Sequence, residues 1–165
     1  MIKVDIRGFL YFKEKSYKCV IGKNGARKNK VEGDGCTPLG TFSLGPIFYR
    51  SDRVRILNRS LETIPIKKNM YWSDDPKSKN YNQLTYTKGN SFETLYKDEN
   101  IYDIILPIHY NINPIIAFKG SAIFIHVVKN NFSPTEGCIA LKKNCLLKVI
   151  KDLSPKDKIK IFSKI

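Results

Sequence analysis

Turn-forming stretches interrupt this chain so often that most of it has room only for short elements. "IGKNGA", "VEGDGCTPLG", "SDDPKSKNYN", "TKGNS" and "YNINP" recur at short intervals. Gly tolerates left-handed backbone, Asn and Asp close their own turns, and Pro fixes φ while removing a donor, so each stretch ends whatever regular structure precedes it. The runs between them, "YKCVIG", "GTFSLGPIFY", "IYDIILPIHY", "PIIAF" and "SAIFIHVV", are apolar or alternating and of strand length. The pattern predicts a mainly β domain with one or two helices. At 165 residues, 42% of them hydrophobic and with nine Tyr and nine Phe, the chain fills one core, and residues 1–165 are expected to form a single domain.

Three segments can be read in more detail. In "SAIFIHVV" alternation puts Ala122, Phe124, His126 and Val128 on one face and Ile123, Ile125 and Val127 on the other. Both faces are apolar, so the strand is central, with His126 near its end. In "KKNCLLKVIKDL" the apolar residues Cys145, Leu146, Val149, Ile150 and Leu153 make one helical stripe that Lys142, Lys143, Lys148 and Lys151 avoid. Ser154-Pro155 stops that helix, and Cys145 reads as a core residue. The closing "KIKIF" alternates Ile159 and Ile161 with lysines, as a half-exposed strand does.

Composition narrows the function classes. Cys19, Cys36, Cys138 and Cys145 fit neither a paired zinc motif nor a dense disulfide framework. No run reaches the ~20 apolar residues of a membrane span, and "MIKVDIRGFLYF" lacks the pattern of a signal peptide. Lys and Arg number 29 against 15 Asp and Glu, a net charge of +14 that attracts polyanions. The basic stretches are dispersed and carry no aromatic-studded RNA motif or helix-turn-helix, so nucleic acid is not the expected partner.

Chemistry concentrates in "SPTEGCIAL". Gly137 lets the backbone turn or approach a substrate closely, and Cys138 follows it directly. A thiol attacks as its thiolate and needs a base within reach. His126, twelve positions upstream, is the candidate. By itself such a pair is more often two ordinary buried side chains than a catalytic pair.

Five blocks in order resemble one family. "VEGDGCTPLGTF", "SDDPKSKNYN", "YDIILPIHYN", "GSAIFIHVV" and "PTEGCIAL" are similar to "REGDGxTPxGxF", "DDPxxxxYN", "YDxxxxxxHN", "GSAIFxHV" and "PTEGCxAL" of compact, single-domain YkuD-type L,D-transpeptidases. The resemblance implies a β-sandwich or barrel-like catalytic fold, peptidoglycan stem peptides as partner, no metal or organic cofactor, and a monomer. It implies Cys138 as nucleophile, His126 as general base, and the N–H groups of Cys138 and Gly137 as holders of the oxyanion. Thr135, Glu136, His109, Trp72, Tyr81 and Asn82 become candidates for substrate contact, the last three in a loop that could wall the site. The substrate implies the periplasm or cell-wall side, while the chain start shows no export signal. The chain departs from the commoner family pattern: Val127 follows the His, Glu136 precedes Gly137, and Ala140 stands where Arg or Asn is usual. Hydrolysis of the acyl-enzyme by water, or a basic glycan- or nucleic-acid-binding module without catalysis, are the competing readings.

Overall fold

The computed structural model describes residues 1–163. Fifteen short strands form in chain order, beginning with β1 (Ile2–Asp5), β2 (Phe9–Phe12), β3 (Lys15–Val20), β4 (Ala26–Arg27), β5 (Thr37–Pro38), β6 (Gly40–Ser43) and β7 (Ile47–Tyr49). There follow β8 (Thr63–Pro65), β9 (Tyr71–Ser73), β10 (Leu84–Thr85), β11 (Phe92–Thr94), β12 (Ile104–Pro107), β13 (Phe124–Val127), β14 (Ile139–Leu141) and β15 (Lys158–Phe162). One α-helix, α1 (Lys143–Lys151), and a 3-10 turn at Asn100–Tyr102 complete the described residues.

Ten strands join one curled sheet in the order β6-β15-β1-β2-β3-β14-β13-β12-β7-β8. This is the mainly β architecture that the turn spacing predicts. Beside it lie a small sheet, β10-β9-β11, and the pair β4-β5. Most neighbours run antiparallel, but β13 and β14 are parallel, with Ile125 opposite Ile139 and His126 opposite Ala140. The chain between them, including "SPTEGC", must therefore cross back along the sheet before β14 can start.

The alternation in β13 sorts its side chains into two interiors. Ile125 and Val127 join Ile139, Leu141, Ile104 and Leu106 in the main core, against Leu146, Val149 and Ile150 of α1. Each of those three helix side chains is essentially inaccessible, and burial at about 25 cal/mol per Å² makes each worth roughly 1.5–3 kcal/mol. Phe124 faces the other way, into an aromatic cluster with Trp72, Tyr102, Phe48 and Met70. Trp72 and Tyr102 both meet the Phe124 ring edge-on, at 5.1 and 6.1 Å between centroids. His126 shares that side and stacks edge-on with Tyr102 at 5.4 Å.

The closing strand alternates as expected, with Ile159 and Ile161 buried and Lys158 and Lys160 exposed. Cys145 corrects the helix reading. It sits at the edge of the stripe, half-buried, and borders a surface groove with Tyr17 and Lys18. Lys143 is likewise no free surface charge, because its Nζ lies 2.6 Å from the buried carboxylate of Asp103.

Candidate active site

Cys138 and His126 line one cavity of about 510 Å³. The register explains why. Cys138 precedes β14 at the position across from Phe124, and alternation puts Cys138 and Ala140 on the same face as Phe124 and His126. One inter-strand spacing and a two-residue rise separate the two Cα atoms by about 8 Å, a gap that a thiol and an imidazole leaning towards each other can close. Val127, the residue after the histidine, supplies the backbone carbonyl that lies 2.9 Å from His126 Nδ1. A hydrogen on Nδ1 satisfies that carbonyl and puts the lone pair of the neutral ring on Nε2, while the Ile101 carbonyl also faces the ring.

The thiol is held between two backbone groups. Cys138 Sγ donates to the Ala122 carbonyl at 3.2 Å and accepts the Phe124 N–H at 3.3 Å. Burial pushes the thiol up to about 12, while the Phe124 N–H, which favours the thiolate, pulls the other way. Burial also pushes the His126 imidazole down to about 4, against the carbonyls of Val127 and Ile101, with Lys97 and Lys129 adding to the depression. Around neutral pH the pair is therefore thiol and neutral imidazole. Ionisation must accompany attack on a substrate that brings its own electrophile.

Gly137 shapes the approach to the nucleophile. Its φ of +137° is one that residues with a side chain rarely adopt, and a Cβ there would lie 2.8 Å from the Cys36 carbonyl oxygen. Thr37 Oγ1 donates to the Gly137 carbonyl at 2.9 Å, and the Gly137 N–H is given to Thr135 Oγ1 at 3.1 Å. The same Thr135 hydroxyl donates to the Cys138 carbonyl at 2.6 Å. Gly137 N–H is thus engaged inside its own loop, whereas the Cys138 N–H makes no hydrogen bond among the described residues.

Of the six side chains expected to contact substrate, Thr135 and Glu136 line the cavity and four do not. Glu136 is exposed and pairs with Lys23 at 2.9 Å. The carboxylate that raises the Cys138 thiol is Glu93, not Glu136. His109 lies off the cavity with its Nδ1 3.0 Å from Ser43 Oγ. Trp72 is buried on β9 and donates its indole N–H to Asn82 Oδ1. Tyr81 and Asn82 are buried too, at 3% and 2% exposure, behind the wall rather than on it. Asp74, from the same stretch, does line the cavity.

Composition analysis missed a cluster beside the imidazole. Tyr102 donates its hydroxyl to Glu93 at 2.9 Å, and Lys97 Nζ lies 3.1 Å from the same carboxylate and 5.1 Å from the Tyr102 ring. The "YD" of "YDIILPIHYN" was the available signal, but nothing local links it to residues 93 and 97. The cavity also carries Glu32, Asp74, Glu99 and Lys129, so an acidic-leaning pocket opens in a strongly basic protein. Among the described residues no group of three or more His, Cys, Asp or Glu side chains could hold a metal ion, and no helix is long and apolar enough to cross a membrane.

Cys138, just before β14, and His126, on the adjacent parallel strand β13, thus open onto one face of a curled, mainly β sheet. Residues 2–161 match the L,D-transpeptidase catalytic domain, YkuD, and the chain belongs to that family. Among solved structures it is similar to the helical cell shape determining protein Pgp2 from Campylobacter jejuni, at 16% identity and a TM-score of 0.43. The K307A mutant of Pgp2 gives 17% identity and 0.45. In both comparisons 99% of this chain aligns with 46% of the other, so the chain spans about half the length of those proteins. No curated protein matches the chain.

Proposed function

We propose that the chain is a peptidoglycan L,D-transpeptidase that acts on the cell-wall side through a Cys138 thioester. The observation that carries this reading is the Cys138 thiol sharing a cavity and a strand face with the His126 imidazole, inside a matched transpeptidase domain. Cys138 Sγ attacks the donor stem-peptide carbonyl at diaminopimelate while its proton passes to His126 Nε2. The Cys138 N–H faces the developing oxyanion. The C–N bond then breaks, His126 returns the proton to the leaving amine, and the acyl group remains on sulfur. An acceptor amine attacks the thioester, gives its proton to His126, and expels the thiolate, which is reprotonated as the new amide leaves.

A neutral resting pair suits this sequence, because proton transfer to His126 accompanies the attack of sulfur on the carbonyl and no separate thiolate–imidazolium pair has to form first. The test is mass spectrometry of the products after mixing the protein with defined disaccharide-tetrapeptides. Cross-linked or amino-acid-exchanged muropeptides are the expected result. Release of a trimmed stem without either product would assign water as the acceptor, and unchanged substrate would overturn the reading.

A further inference from the structure

The "YN" of "SDDPKSKNYN" lies behind the cavity wall, yet its contacts end at the nucleophile. Asn82 is buried, and all of its side-chain capacity is used. Its Oδ1 accepts the Ala122 N–H at 3.0 Å and the Trp72 indole N–H at 3.1 Å. Its Nδ2 donates to the carbonyls of Tyr110 and Asn111 at 3.0 and 2.8 Å. Its neighbour Tyr81 accepts the Gly120 N–H at 2.9 Å and donates to Glu32, whose same oxygen takes the Ser121 hydroxyl at 2.8 Å. Three consecutive residues, Gly120, Ser121 and Ala122, are thereby pinned from one side.

The last of the three is strained. Ala122 has a φ of +52°, in the left-handed region that a residue with a Cβ rarely occupies. Such a conformation persists only where its surroundings over-determine it, and such positions gather at functional sites. Here the surroundings are the Asn82 clamp, and the consequence is the direction of the next backbone groups. The Ala122 carbonyl and the Phe124 N–H are the two partners of Cys138 Sγ.

We propose that Asn82 is a positioning residue for Cys138: by holding Ala122 in its left-handed conformation it aims the Ala122 carbonyl and the Phe124 N–H at the thiol. The carbonyl keeps the sulfur protonated and oriented at rest. The N–H stays in place to share the negative charge once His126 has taken the proton. The inference rests on Cys138 being the nucleophile. Tyr81 supports the same segment one residue further out, with Glu32 as its anchor.

The experiment compares the parent with Asn82→Ala and with the double variant Asn82→Ala/Ala122→Gly. Iodoacetamide alkylation is followed against pH by peptide mass mapping, alongside turnover of disaccharide-tetrapeptide. The titratable groups facing Cys138 are Glu93, Lys30, Tyr102 and His126, and none of them is altered. Without the clamp, Ala122 relaxes and water reaches the sulfur. Alkylation of Cys138 should then be at least ~10-fold faster at pH 8, about one pKa unit towards an ordinary thiol. Turnover should meanwhile fall by roughly 10², the scale of an ångström-level misplacement, and KM should move less than about threefold. In the double variant, glycine adopts the left-handed conformation unaided and part of the lost kcat should return.

Cys19, deep in the main core and also pushed up to about 12 by burial, is the internal control. If Cys19 becomes reactive together with Cys138, Asn82 holds the whole fold and the positioning role is refuted. An unchanged Cys138 profile, or a double variant slower than the single one, refutes it as well. Because alkylation reads the thiol directly, an inactive parent would overturn the transpeptidase reading while leaving the clamp open to the same measurement.

Discussion

Cys138, just before β14, and Cys19, on the neighbouring strand β3, have thiols displaced by burial to the same value, about 12. Cys19 lies on β3 opposite Leu141, at 3% exposure, among Ile and Leu side chains, with Asp5 adding to the upward push. Cys138 is half-buried and borders a cavity, accepts a backbone N–H, and shares a strand face with a histidine. A raised pKa therefore marks both a core side chain and a candidate nucleophile. What separates them is access, a donor aimed at the sulfur, and a base on the same face.

The largest expected effect follows from that contrast. Cys138→Ala should abolish muropeptide turnover and leave the unfolding midpoint close to that of the parent. Cys19→Ala should keep turnover and lower stability by about 1–2 kcal/mol, the usual cost of a small side chain lost from a core. Denaturant titration and product analysis on both variants check this together. Retained turnover in Cys138→Ala would erase the distinction.

Next in size is the base. His126→Ala should lower kcat by roughly 10² to 10⁴, with a residual rate that climbs as pH rises and hydroxide takes over the thiol proton. A pH–rate profile on both proteins reads it. In the parent, the acid limb should fall well below pH 6.5, because the imidazole is held at about 4. A variant as fast as the parent at pH 7 would remove His126 from the chemistry and leave Cys138 without a base on its face.

His126 also couples acidity to stability. Its folded pKa of about 4 lies below the 6.5 of the unfolded chain, so as pH falls the unfolded state takes up a proton first. The stability present above pH ~6.5 is lost between about 6.5 and 4, by up to about 3 kcal/mol. Denaturant midpoints of the parent and His126→Gln across that window should converge as pH falls. Parallel curves would contradict the buried neutral imidazole.

The smallest effect concerns charge. With Lys143 tied to Asp103, the exposed lysines of the helix region are Lys142, Lys148 and Lys151. Replacing all three with Gln should lower kcat/KM on sacculi a few-fold at low salt, with little change in kcat, because a basic surface steers an anionic polymer and salt screens it. Equal kcat/KM in variant and parent would place the steering field elsewhere on the surface.

The sequence carried the periodic elements well. β13, α1 and β15 follow from alternation or a helical stripe because local spacing decides which side chain faces inward. The shared face of Cys138 and His126 follows from the same alternation, applied to two adjacent strands joined by one crossover. Trp72, Tyr81 and Asn82 were placed against substrate because an Asx-rich loop reads as surface. The partners of Tyr81 and Asn82 at residues 110, 111, 120 and 122 lie 28 to 40 positions away, where no local pattern reaches. The position of His109 off the cavity is equally non-local, its partner being Ser43 on β6. The Glu93, Lys97 and Tyr102 cluster depends on how the small sheet meets the large one, which composition does not encode.

If acyl transfer passes through the Cys138 sulfur, protein quenched in acid during turnover carries the donor acyl group. Intact-mass spectrometry should then show a mass increase equal to that group, mapped to the peptide carrying Cys138, released by hydroxylamine and absent from Cys138→Ala. Product formation in the parent with no adduct under conditions that slow the second step, or the same adduct in Cys138→Ala, would contradict it.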